Sequence, residues 1–67
     1  VNVAVNGRPR ELPPGLTLAE LLADLGLAAP AGVAVAVNAR VVTRAAFASQ
    51  ALADGDEIEI IRAVAGG

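Results

Sequence analysis

Gly66 and Gly67 close the sequence, and two residues without side chains at the end of a Val64-Ala65 arm are the positions most open to chemistry. Such an arm can thread a narrow channel in a second protein and bring the carboxylate of Gly67 to a reacting centre without steric hindrance. An α-carboxyl, with an ordinary pKa of about 3.3 to 3.7, is ionised at neutral pH, and the terminus itself reads as the reactive group. A diglycine alone is weak support, because at a glycine usage of about 7% a given pair of positions reads Gly-Gly about once in two hundred chains. Terminal residues are also commonly frayed and tolerant of change, so the rest of the sequence has to supply the context.

Little else in the chain can act. Histidine, cysteine, lysine and tyrosine are absent, and the three hydroxyls, Thr17, Thr43 and Ser49, have no histidine or lysine to activate them. The seven carboxylates fall in segments that read as turns and solvated faces, which gives no matched acid and base. No catalytic residue is expected, and the chain reads as a protein that is not an enzyme. Without histidine or cysteine, a structural zinc or a disulfide is not expected either. The basic residues are five arginines scattered through a chain of net charge -2, with no stripe to follow a phosphate backbone, so no nucleic-acid ligand is expected. The longest apolar run, Leu27 to Val37, is broken by Pro30 and Gly32 and falls well short of the roughly 20 residues that span a bilayer. No membrane partner is expected, and with no secretory leader pattern in view the expected location is cytoplasmic.

The elements that must carry the arm follow from periodicity. Val1, Val3 and Val5 alternate with Asn2, Ala4 and Asn6, the period of a strand with one buried face. Asn6-Gly7 is a hairpin signal, since both residues tolerate positive φ, and a short return strand is expected over 10–12. Pro13, Pro14 and Gly15 end it. Thr17-Leu18-Ala19-Glu20 reads as a capping box. A helix should follow, with Leu18, Leu21, Leu22 and Leu25 as its core stripe and Gly26 as its left-handed stop.

Val33, Val35 and Val37 predict a second buried strand, Asn38-Ala39-Arg40 a turn, and Val41-Val42 a brief strand. Residues 43–53 should be an alanine-rich connection with one irregular helical turn around Phe47, followed by a tight turn at Asp54-Gly55-Asp56. The last strand is expected from Glu57 to about Val64. Glu57 and Glu59 mark its solvent face, Ile58 and Ile60 its core face, and Ile61 points outward beside Arg62, where a partner could grip.

Sixty-seven residues allow one domain, expected over 1–67, with 63–67 a flexible tail. Hairpin, helix, strand, short strand and final strand give an α+β fold with one helix packed on a mixed sheet of four to five strands. If the last strand returns beside the first in parallel, the helix serves as the crossover such pairing demands. That is a ubiquitin-like β-grasp.

The order of elements, Val35-Ala36-Val37-Asn38 followed by Val41-Val42, the turn Leu52-Ala53-Asp54-Gly55-Asp56 leading into Ile58-Glu59-Ile60, and Gly66-Gly67 together resemble the ThiS family of sulfur carrier proteins in thiamine thiazole biosynthesis. The likeness covers nearly the whole chain. It implies that a ThiF-like adenylating enzyme uses ATP to activate the carboxylate of Gly67, and that a sulfur-donor enzyme converts it to a thiocarboxylate for a thiazole synthase. On that reading Gly66, Ala65 and Val64 give access, Ile61 and Arg62 contact the partner, and the chain needs no cofactor of its own. Related carriers that serve molybdopterin synthesis or tRNA thiolation share the tail and the fold. A ubiquitin-like protein modifier is the alternative of a different kind, although a chain without lysine cannot build polymers through its own side chains.

Overall fold

The computed structural model describes residues 1–27 and 32–62. Its elements run β1 (Asn2–Val5), β2 (Arg8–Glu11), α1 (Leu18–Asp24), β3 (Val33–Val37), β4 (Arg40–Val42), a 3-10 turn (Arg44–Ala46) and β5 (Glu57–Arg62). The sheet order is β2-β1-β5-β3-β4. β1 and β5 are parallel, with Ala4 opposite Glu57 and Val5 opposite Ile58, and every other pairing is antiparallel. The strand that leads to residue 63 is therefore the middle of the sheet.

Asn6 and Gly7, at φ 51° and 80°, make the first hairpin turn. Because this turn has only two residues, pairing begins at once with Val5 opposite Arg8, so β2 starts two residues before the expected position and ends at Glu11. Pro9 lies inside β2, which is tolerated because β2 is an edge strand whose outer side has no ladder to complete. The second hairpin turn is also shorter than the sequence implies. Asn38 and Ala39 alone form it, at φ 52° and 66°, and Arg40 already pairs with Val37.

A helix of seven residues is too short to persist on its own propensity, and its ends show what holds it. Of the amides that a helix start leaves without a partner, Leu18 N–H donates to Gln50 O at 2.8 Å, Ala19 N–H to Phe47 O at 3.0 Å and Glu20 N–H to Thr17 Oγ1 at 3.2 Å. Thr17 N–H donates to Glu20 Oε1 at 2.9 Å, which completes the capping box. At the other end Gly26, at φ 78°, turns the chain so that Gly26 N–H reaches Ala23 O and Leu27 N–H reaches Leu22 O, the paired bonds of a Schellman stop.

Leu18, Leu21 and Leu22 of the helix pack on Val3, Val35, Val37 and Ile58 of the sheet, and Leu12, Phe47 and Leu52 close the sides of this core. Leu25, expected in the stripe, is only partly buried because it is the C-cap at the rim. No buried side-chain polar atom among the described residues lacks a partner.

Candidate functional site

β5 presents two faces. Ile58 is fully buried under the helix and Ile60 partly so, whereas Glu57, Glu59 and Ile61 occupy the opposite, open face of the sheet. Ile61 is 63% exposed and Val41, on the same face, 75%; these are the exposed large hydrophobic residues among those described. The register links them through small residues, with Ala34 opposite Ile61, and Ala36 flanked by Val41 and Glu59. The outer face is thus a shallow apolar strip edged by two glutamates. A depression of about 350 Å³ beside it is lined by Ala4, Asn6, Gly7, Glu57, Glu59 and Ile61.

On the helix side the chain forms a second groove, of about 560 Å³. Val5, Leu25, Leu27 and Ile60 give it apolar walls, and Arg8, Arg10 and Arg62 add three of the five arginines. Scattered in sequence, these cations are gathered in space by the first hairpin and the end of β5. Arg10 is held by Asp24 at 2.8 Å, while Arg8 and Arg62 make no ion pair among the described residues. Arg62, the last described residue, thus carries a positive charge with no ion-pair partner among the described residues.

Two asparagines fix β5, beyond forming the turns that the sequence predicts for them. Asn38 N–H donates to Glu57 O at 2.7 Å, and its side chain accepts from Glu57 N–H and donates to Asp56 Oδ1, both at 2.9 Å. Asn6 N–H donates to Ile58 O at 2.8 Å, and Asn6 Oδ1 accepts from Ile60 N–H at 2.8 Å. The turn ahead of β5 is anchored as well, since Asp54 Oδ1 accepts from Asn2 N–H at 2.7 Å and Asp56 Oδ2 from Ala53 N–H at 2.8 Å. The Asn-Gly dipeptide flagged the first of these asparagines as special but not its partner 54 residues away.

Ile61 and Arg62 thus sit at the end of the central strand, on opposite faces of it. Val64, Ala65, Gly66 and Gly67, expected to carry the chemistry, lie outside the described residues, as does the expected end of β5 at Val64 and the tail over 63–67. Among the described residues no group of histidine, cysteine or acidic side chains is placed to hold a metal, and no helix is long and apolar enough to cross a membrane.

A mixed five-stranded sheet with its first and last strands parallel at the centre and one crossover helix on one face defines a ubiquitin-like β-grasp protein. Within that class the model of the ThiS family matches residues 3–67, and the chain belongs to that family. It superposes on the crystal structure of the thiamine biosynthesis protein ThiS from Geobacter metallireducens with a TM-score of 0.84 and 35% identity, over the full length of both chains. The solution structure of a thiamine biosynthesis protein from the same organism matches with a TM-score of 0.81, over all of this chain and 88% of that one. The whole chain is also 37% identical to part of a thiazole synthase from Magnetococcus marinus and 33% identical to part of one from Paramagnetospirillum magneticum. It spans about a fifth of the length of these curated relatives, 20% in each case.

Proposed function

We propose that this chain is a sulfur carrier for thiazole formation in thiamine biosynthesis, and that it is consumed and regenerated as a cosubstrate and catalyses nothing itself. The observation that carries the reading is the likeness to ThiS over the full length of both chains. Alignment of the whole chain within proteins named thiazole synthase supports the thiazole pathway over molybdopterin synthesis or tRNA thiolation.

In the proposed reaction a carboxylate oxygen of Gly67 attacks the α-phosphorus of ATP in a ThiF-like partner, forming an acyl adenylate and releasing pyrophosphate. The terminal sulfur of a donor persulfide then attacks the acyl carbon, and AMP leaves. A thiol cleaves the resulting acyl disulfide at its outer sulfur, which leaves a thiocarboxylate on Gly67 and a disulfide on the donor side. Thiazole synthase takes the sulfur from that thiocarboxylate. ATP belongs to the partner, and this chain contributes a carboxylate, an arm of small residues and a folded handle.

The handle suits docking in two respects. The open sheet face offers Ile61 to an apolar surface, and Arg62 with Arg8 offers positive charge to an acidic one. Deleting Gly67, or appending one residue after it, is the direct test. Either change should abolish sulfur transfer while leaving the thermal unfolding of the domain unchanged, and a variant that still supports thiazole formation overturns the reading.

A further inference from the structure

The β1–β5 ladder ends early. Strand pairing stops at Val5 opposite Ile58, because Asn6 turns away at φ 51° into the hairpin, yet β5 continues to Arg62. On its other flank β3 accompanies β5 to the end, with Val33 opposite Arg62. On the β1 flank, the backbone groups of Ile60 would face water if the Asn6 side chain did not meet them. Its carboxamide has the donor and acceptor of a peptide group. Oδ1 takes the Ile60 N–H at 2.8 Å and Nδ2 approaches Ile60 O at 3.4 Å, so the side chain supplies one more rung. Both flanks of β5 are thereby held to within two residues of its end.

We propose that Asn6 is a positioning residue for the reaction at Gly67: its carboxamide extends the β1–β5 ladder to Ile60 and so fixes the path of β5 up to Arg62. The inference rests on the reading of Gly67 as the reacting group. Without the rung, the last residues of β5 are tied on one flank only and can swing away from the first hairpin. The docked body would be unaffected, but the carboxylate would occupy its reacting position for a smaller share of the time, and a loss of that kind appears in turnover rather than in binding.

Asn38 supplies the control. It too occupies a positive-φ turn position and bonds β5 through its side chain, but at Glu57, at the far end of the strand from the arm. Asn6→Gly and Asn38→Gly each keep the turn conformation and remove one carboxamide. Asn6→Asp keeps the acceptor for Ile60 N–H. The experiment measures pyrophosphate release by a ThiF-like adenylating enzyme with the full chain as the varied substrate, together with amide hydrogen exchange at Ile60. The expected result for Asn6→Gly is Ile60 exchange about tenfold faster and kcat lower by about fivefold, with KM within a factor of about two. Asn6→Asp should recover most of both, and Asn38→Gly should leave kcat unchanged. Equal kcat losses in the two glycine variants, or none in Asn6→Gly, overturn the positioning role while the functional reading stands. A wild-type chain that releases no pyrophosphate overturns the functional reading itself, and the positioning role with it.

Discussion

At the scale of single residues, the positions with positive φ separate what local sequence encodes from what it tolerates. Asn6-Gly7 is a favourable pair for its turn and was legible at once. Asn38-Ala39 forms the same kind of turn with an alanine at φ 66°, where its Cβ crowds the backbone. Ala39→Gly removes a strain of about 1–2 kcal/mol and costs about 0.4–1 kcal/mol through the looser unfolded chain. A net gain of up to about 1.6 kcal/mol is expected, read as a higher urea midpoint at unchanged slope. Glu20 gives a second prediction. Its carboxyl is held below its ordinary value, chiefly by the Thr17 backbone N–H and then by the Thr17 hydroxyl. A carboxyl lowered in the folded state stabilises above its unfolded pKa, and that contribution fades as pH falls through the folded value. The stability difference between wild type and Glu20→Gln should therefore be present at neutral pH and shrink in acid. A difference that is flat with pH contradicts the assignment.

At the scale of elements, the helix was legible because all its signals are local: a capping box, a leucine stripe and a glycine stop within ten residues. Its anchorage was not, because the carbonyls that receive Leu18 and Ala19 come from Gln50 and Phe47, in an alanine-rich connection with no periodic pattern to mark them. The cap and the packed face make distinct contributions. Thr17→Ala should cost about 1 kcal/mol, and Leu21→Ala, from a fully buried position, about 2–5 kcal/mol. In a domain this small the second figure is a large part of the whole stability. Chemical denaturation at neutral pH measures both, and a Leu21→Ala loss no larger than that of Thr17→Ala contradicts this account of the core.

For the whole molecule, alternation on β5 told which of its residues face out, and the diglycine is where the proposed function places the chemistry. Neither could show that Arg8, Arg10 and Arg62 share one groove, since that depends on placing β5 beside β1, and sequence carried this only as a condition on the topology. If Arg62 docks on an acidic partner surface, Arg62→Glu should weaken binding to the adenylating enzyme by about tenfold at low salt, with the gap narrowing as ionic strength rises. Calorimetric titration at two salt concentrations reads that change; equal affinities for both forms contradict the contact. The central claim is more exposed still: the end of this chain is where sulfur is carried. Intact-mass spectrometry of the protein after incubation with a ThiF-like adenylating enzyme, ATP and a persulfide donor with excess thiol tests it most directly. The account predicts a mass increase matching one oxygen replaced by one sulfur, localised to the peptide that contains Gly67 and absent when ATP is withheld. An unchanged mass under conditions in which the same enzyme loads another ThiS protein would contradict it.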